Sequence, residues 1–142
     1  MACSETELRE MAAKFRAAIL ACDKSKPFIT LQSFPNGACG DASYLLAKYF
    51  EEKGCGQFEY VWGMRRSNSH SHAWLEQNGI IVDITADQFD GIDNPVLITM
   101  DRTWHAQFEE EDRHTADYER YDPATVNNLR ASYEFVVKNI ET

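Results

Sequence analysis

The stretch that decides the fold covers residues 72–85, HAWLEQNGIIVDIT, in which two β-rich runs flank Asn78-Gly79. Asn-Gly between such runs is the strongest short-range indication of a two-residue hairpin turn of type I′. In that turn Gln77 pairs with Ile80, and the alternation of side chains assigns each residue to one of two faces. One face is almost wholly apolar and consists of Ala73, Leu75, Ile80, Val82 and Ile84.

The opposite face of the hairpin carries ionisable and polar side chains: His72, Trp74, Glu76, Asp83 and Thr85. In the same register Trp74 pairs with Asp83, and His72 pairs with Thr85. His72 and Asp83 are therefore diagonal neighbours on one face, close enough for their side chains to touch. The register follows from the turn alone, so the predicted contact between imidazole and carboxylate is independent of any assumption about function.

Outward from the hairpin, the chain is predicted to form one α+β domain over residues 1–142. Its N-terminal helices pack on a small antiparallel sheet, and a C-terminal helix packs back on them. Hydrophobic spacing and helix-start residues predict helices over 5–22, with a capping box at Ser4–Glu7, over 39–53, and after Asp122-Pro123. Strands are predicted over 27–32, 57–63 and 95–99, while 105–121 is interpreted as loop with a short helix.

The charge balance excludes some classes of partner. The chain has 142 residues, with 14 Lys and Arg against 23 Asp and Glu, for a net charge of −9. Nucleic acids and anionic membranes attract basic surfaces, so neither is an expected partner. No run approaches the roughly 20 apolar residues of a membrane span, and the N-terminal MACSETELRE does not resemble a secretory signal. A soluble cytoplasmic protein is expected.

The four cysteines, Cys3, Cys22, Cys39 and Cys55, form no CxxC pair. A zinc ribbon or redox dithiol is therefore disfavoured, and free thiols are expected in a reducing cytoplasm. Cys22 lies on the apolar stripe of the first helix and is interpreted as a small buried hydrophobe. Cys39, in NGACGDAS, follows a glycine-containing turn and opens a helix, where free N–H groups and a partial positive charge favour a thiolate.

A thiol nucleophile needs a base and a group that orients the base. His72, at the start of the hairpin, could supply the base, with Asp83 on the same face holding its imidazole in one tautomer. Asp87 and His70 are near enough in sequence to be rival assignments. A metal site built from His70, His72 and Cys39 is the other alternative. It is disfavoured because Asp83 is already placed to support His72, and no cofactor or metal is expected.

Cys39 at a helix start, His72-Ala73-Trp74 opening a strand and Val82-Asp83-Ile84-Thr85 on the next strand resemble the transglutaminase-like, papain-like cysteine proteinase superfamily. The resemblance covers residues 32–90. It implies a papain- or transglutaminase-like core in which Cys39 is the nucleophile, His72 the general base and Asp83 the orienting residue. It also implies acyl transfer through a thioester, as a peptidase, amidase, deamidase or crosslinking enzyme acting on a peptide, protein or small amide.

The oxyanion donor departs from the papain pattern. Papain-type enzymes usually have an oxyanion-hole glutamine six residues before the cysteine. In this chain that position is occupied by Ser33. Gln32, one residue further away, Asn36 and a backbone N–H are the alternatives. Trp74 either shields the site, lines a substrate groove or serves packing alone.

A second class of function is a catalytically inactive family member that acts as a binding, inhibitor or immunity protein for a basic partner. Glu109–Asp112 is an acidic run that suits such a partner, although a solvated surface is its simpler interpretation. His105 is interpreted as a surface or core residue without a role in the site.

Overall fold

The computed structural model describes residues 3–22, 31, 39–89 and 91–141, and within them the architecture is α+β, as predicted. The helices are α1 (Glu5–Ala21), α2 (Cys39–Glu52) and α3 (Pro123–Glu141). The strands are β1 (Glu59–Met64), β2 (Ser71–Gln77), β3 (Ile80–Asp83), β4 (Leu97–Thr99) and β5 (Glu109–Thr115). They form one antiparallel sheet in the order β4-β3-β2-β1-β5.

The hairpin of β2 and β3 has the predicted register. Gln77 pairs with Ile80 and Leu75 with Val82. Both turn residues have positive φ, 51° at Asn78 and 81° at Gly79, as a type I′ turn requires. The sequence prediction of which side chains share a face is therefore confirmed.

The helix starts also follow the sequence. The hydroxyl of Ser4 accepts a hydrogen bond from the backbone N–H of Glu7, whose carboxylate accepts one from the N–H of Ser4 in return. Asp122 accepts a bond from the N–H of Thr125 at the start of α3. Both arrangements satisfy N–H groups that a helix start leaves unpaired. Within the described residues, no helix combines the length and apolar character needed to cross a bilayer.

The two faces of the sheet bury two separate hydrophobic clusters. On the face covered by the helices, Leu75, Val82 and Ile84 join the main core, with buried residues of all three helices such as Phe15, Phe50 and Val136. On the opposite face a smaller cluster contains Val61, Trp74, Ile81 and Phe108. The polar residues predicted from the hairpin lie on this second face.

The interpretation of residues 105–121 as loop with a short helix is wrong in its central part. Residues 109–115 form β5, which pairs with β1, and only short 3₁₀ turns flank it at His105–Gln107 and Tyr118–Arg120. The strand lies at an edge of the sheet, and most of its side chains are exposed. An exposed edge strand has no need of apolar alternation, so the EEEDRHT sequence carries no β pattern.

The prediction of four free thiols is also wrong. Cys3 and Cys55 form a disulfide with their Cα atoms 5.0 Å apart, whereas Cys22 and Cys39 keep their thiols. The pair joins the residue before the cap of α1 to the segment after α2, across 52 residues of sequence. No local spacing relates such distant cysteines, so the bond could not be predicted from sequence patterns. Cys22 is buried, as expected.

The strand predicted over 27–32 lies outside the described residues apart from Leu31. Leu31 is fully buried in the main core, and it lies in no strand. The oxyanion candidates Gln32 and Asn36 also lie outside the described residues.

Candidate functional site

The predicted contact between His72 and Asp83 is present at the end of the hairpin away from the turn. Nε2 of His72 lies 2.7 Å from Oδ2 of Asp83, and both side chains are almost completely inaccessible to solvent. The other carboxylate oxygen, Oδ1, accepts a hydrogen bond from the backbone N–H of Thr85. Asp83 is thus held in place at the last residue of β3, and it fixes the orientation of the imidazole.

A second histidine, which the sequence interpretation left out of the site, binds the same carboxylate oxygen. Nε2 of His105 lies 2.7 Å from Oδ2 of Asp83, and His105 is 3% exposed. In the described part of the chain its Nδ1 is buried without a hydrogen-bond partner. His105 follows β4 by several residues, and only the folding of that loop onto the hairpin brings it to Asp83. No local pattern in the sequence could have indicated this contact.

Cys39 is the first residue of α2, and its thiol lies close enough to His72 for its hydrogen bonding and charge to help raise the pKa of the imidazole. Because Nε2 of that ring is engaged by Asp83, Nδ1 is the nitrogen left to face the thiol. The amide nitrogen of Gln88 also lies 3.5 Å from Nδ1. The structure therefore brings together the three residues that the sequence selected, in the order thiol, imidazole, carboxylate.

The electrostatics of the buried pair favour opposite charges. Burial alone would lower the pKa of His72, but the charge and hydrogen bond of Asp83, with further contributions from Cys39, raise it to about 9. Burial alone would raise the pKa of Asp83, but His72 and His105 together hold it below its usual range. At neutral pH the pair is thus an imidazolium facing a carboxylate.

An aromatic shell encloses the imidazole of His72. Its ring lies 5.1 to 5.7 Å, between ring centroids, from four aromatic side chains: Trp74, Phe89, Trp104 and Phe108. Trp74 is 3% exposed and also packs 4.8 Å from the ring of His105. This shell keeps water from the imidazole–carboxylate pair and strengthens the interaction between the two charges.

Glu76 anchors Trp74 in this shell. Its Oε2 accepts hydrogen bonds from the indole N–H of Trp74 at 2.8 Å and from Arg102 at 2.6 Å. Arg113 donates to the other oxygen at 3.1 Å. Burial alone would raise the pKa of Glu76, but these donors lower it, so the carboxylate remains charged. Trp74 therefore has a fixed place beside both histidines.

The rival assignments are not supported by their surroundings. Asp87 forms an ion pair with Arg16 of α1, with Nη2 and Oδ2 2.7 Å apart, and this partner accounts for its charge. His70 is exposed in the loop before β2. The structure brings neither residue into the buried contact between His72 and Asp83.

Two further side chains that the sequence analysis did not select lie close to Cys39 or His72. One is Gln88, through its proximity to Nδ1 of His72. The other is Tyr60, whose hydroxyl lies 3.1 Å from the position of a Cβ on Gly40. Burial, and then the nearby Cys39, raise the pKa of Tyr60 above its usual range, so its hydroxyl stays protonated. Both groups are hydrogen-bond donors, Tyr60 at the start of α2 and Gln88 beside His72.

His72, Asp83 and His105 are also the residues best placed to hold a metal ion. Their donor atoms all lie within 4.8 Å of one another, and imidazole and carboxylate are ligands of zinc and other divalent metals. This set differs from the alternative considered from sequence, because it contains His105 in place of His70 and Cys39. In this structure the three residues are joined by hydrogen bonds, because Nε2 of each histidine lies 2.7 Å from Oδ2 of Asp83.

No protein-family model matches the chain, and neither a curated protein nor a solved structure matches it. The geometry therefore describes a class of site and leaves the family open. A free thiol at a helix start lies close to a buried imidazole, and one nitrogen of that imidazole is bound to a carboxylate. That arrangement can activate a thiol as a nucleophile.

Proposed function

We propose that this protein is a thiol-dependent acyl-transfer enzyme, of the peptidase, amidase or deamidase type, in which Cys39, His72 and Asp83 form the catalytic triad. The observation that carries the proposal is the position of the His72 ring, which has one nitrogen 2.7 Å from Asp83 and interacts with the nearby Cys39. The resemblance to transglutaminase-like and papain-like enzymes, drawn from the same residues, agrees with this function. The proposed substrates are peptides, proteins or small amides.

In the proposed reaction, Nδ1 of His72 holds the proton of the Cys39 thiol before the substrate binds, so the resting pair is an imidazolium facing a thiolate. The thiolate then attacks the substrate carbonyl carbon, and the π electrons of the carbonyl move to its oxygen. When this tetrahedral intermediate collapses, the bond to the amine breaks, and His72 gives its proton to the departing nitrogen. Water or another amine, deprotonated by His72, then attacks the thioester and releases Cys39.

The surrounding residues support these steps without touching the reacting carbonyl carbon. Asp83 keeps the ring of His72 oriented and stabilises its positive charge. The backbone N–H of Cys39, the hydroxyl of Tyr60 and the amide of Gln88 are candidate donors to the developing oxyanion. Gln32 and Asn36, the donors proposed from the sequence, lie outside the described residues.

The test is the pH dependence of iodoacetamide alkylation at each thiol of the native protein, followed by mass spectrometry. The disulfide removes Cys3 and Cys55 from the reaction, and buried Cys22 serves as an internal control. Cys39 is expected to react rapidly at pH values well below about 8.5, which is the usual pKa of a free thiol. His72→Gln is expected to abolish this reactivity while the circular dichroism spectrum stays unchanged. Ordinary thiol reactivity at Cys39 would refute the triad.

The cluster of His72, Asp83 and His105 supports metal binding as a second candidate function. Because His72 would be a ligand, a bound metal would change the reactivity of the neighbouring Cys39. Native mass spectrometry of protein incubated with zinc tests this candidate, with His105→Phe as the variant that lacks one ligand. Binding of one zinc ion that His105→Phe abolishes would favour a metal centre, whereas alkylation of Cys39 unchanged by a chelator favours the triad.

A non-catalytic role in binding a basic partner has less support. In the acidic run Glu109–Asp112, Glu109 is paired with Arg66 and Glu110 with Arg113. Half of the run is thus already neutralised by the protein's own arginines. The surface offers less negative charge to a partner than the sequence alone indicated.

A further inference from the structure

We propose that Arg65 binds a carboxylate of the substrate, so that the enzyme acts on amides that carry an acidic group close to the bond under attack. This inference rests on the proposed function and names its substrate class. A cavity of about 610 Å³ opens next to the site, and Arg65, His70, Gln88 and Phe89 are among its lining residues.

Two residues that line the cavity also approach His72. Gln88 has its amide nitrogen 3.5 Å from Nδ1 of His72, the ring nitrogen that Asp83 does not bind. The ring of Phe89 stands edge-on to the imidazole, with the ring centroids 5.1 Å apart. A substrate group bound in this cavity would therefore lie close to His72, and the ring of Phe89 would separate Arg65 from that histidine.

The side chain of Arg65 is held in a fixed position. Its guanidinium lies over the rings of Phe89 and Phe108, 4.8 and 5.1 Å from their centroids. Its Nε donates a hydrogen bond to Gln107 at 2.7 Å. Stacking of this kind fixes the plane of the guanidinium before any ligand arrives, which lowers the entropic cost of binding.

The terminal nitrogens of Arg65 remain available to a ligand. Within the described residues they have no hydrogen-bond partner, whereas the neighbouring Arg66 is bound through two nitrogens to Glu109. Arg16, Arg102 and Arg113 likewise pair with carboxylates of the chain. A guanidinium with free parallel N–H groups matches a carboxylate in a bidentate hydrogen bond. Arg65 therefore lacks the kind of partner that these other arginines have.

The charge of the whole chain limits the size of the anion. With a net charge of −9 the protein repels polyanions at long range. One carboxylate is repelled much less, and a half-buried arginine is enough to hold it. The expected substrate is thus an amide with a single nearby carboxylate, such as an acyl group bearing one or an acidic residue beside the peptide bond.

The test compares charged and neutral alkylating reagents of equal length. Bromoacetyl derivatives of glycine, β-alanine and γ-aminobutyrate are each paired with their carboxamides, and the rate at Cys39 is measured by mass spectrometry. At the best length the carboxylate is expected to react about tenfold faster than its amide, the effect of one charge-assisted hydrogen bond. Arg65→Gln is expected to remove this preference, and the matched control Arg66→Gln to leave it unchanged.

The outcomes separate this inference from the proposed function. Fast alkylation of Cys39 at low pH without any preference for the carboxylates would leave the triad in place and overturn the role of Arg65. A preference that persists in Arg65→Gln would assign the effect to the His72 imidazolium and overturn it as well. Binding is also measured without chemistry at Cys39, by NMR titration with N-acetyl-β-alanine and its carboxamide. Equal affinity for the two compounds would contradict the inference even if the triad failed.

Discussion

The same strands bury two different kinds of side chain on the two faces of the sheet. On β2, Leu75 is directed into the main core beneath the helices, while its neighbours Trp74 and Glu76 are directed to the other face. The helix-side core contains mostly apolar side chains, whereas the other face buries His72, Asp83 and His105 among aromatic rings. The apolar core and the buried charged residues are thus one residue apart along the strand, because side chains alternate between its two faces.

The largest expected effect comes from the charged face. Asp83→Ala removes the one carboxylate that both buried histidines share, and breaking a buried pair in this way costs about 3–5 kcal/mol. Urea unfolding measures the loss. Rapid alkylation of Cys39 at low pH should disappear together with the stability. Asp83→Asn is the conservative control, since it keeps the shape of the side chain, and it should restore part of the stability but not the reactivity.

Leu75→Ala tests the opposite face of the same strand. Leu75 is fully buried, so its truncation should cost about 2–5 kcal/mol through lost contacts and the cavity that it leaves. The pH profile of Cys39 alkylation, measured where the variant is folded, should match that of the unmodified protein. A shifted profile would mean that the two faces are coupled and would weaken the comparison.

The pH dependence of stability should arise from the charged face alone. The folded-state pKa of His72, about 9, exceeds its ordinary value of 6.5. Its contribution is therefore fully present below pH 6.5 and is lost as the pH rises through 9, at about 1.4 kcal/mol for each pH unit between the two values. Urea titrations from pH 6 to 10 measure this loss. His72→Gln should show a flatter dependence in that range, and an equally steep one would assign the effect elsewhere.

The smallest expected effect is that of His105, which we treat as a positioning residue. His105→Phe removes one hydrogen bond to a charged group and should cost about 1.5–3 kcal/mol. The pH midpoint of Cys39 alkylation should shift, because Asp83 is held less firmly against His72. His105→Gln keeps a donor and should restore the midpoint. A midpoint that does not move in His105→Phe would reduce the histidine to a packing role.

Local signals in the sequence predicted most of the hairpin face. The Asn78-Gly79 turn fixed the register, and alternation then placed His72 and Asp83 together without any long-range information. Cys39 was selected because a helix start is visible in the sequence. These residues were predictable because the position of each depends on a turn, on a helix start or on the two-residue alternation of side chains in a strand.

The parts that sequence could not supply depend on contacts between distant segments. His105 reaches Asp83 only because the loop after β4 folds over the hairpin, and Arg65 acquires its aromatic support from Phe89 and Phe108 in the same way. The disulfide joins cysteines 52 residues apart. Gly63 is a related case: a Cβ there would lie 2.9 Å from the carbonyl oxygen of Glu109, so the residue permits the close approach of β5.

The composition of β5 has a consequence for the behaviour of the protein at high concentration. Among the residues that the structure describes, the sheet has two edge strands, and unpaired strand edges can join edges of other molecules. At one edge β4 is only three residues long, which offers little to pair with. At the other edge β5 is seven residues long, and it is protected by its acidic side chains instead. That protection lasts only while the carboxylates are ionised, so acidification should expose an edge at which molecules associate.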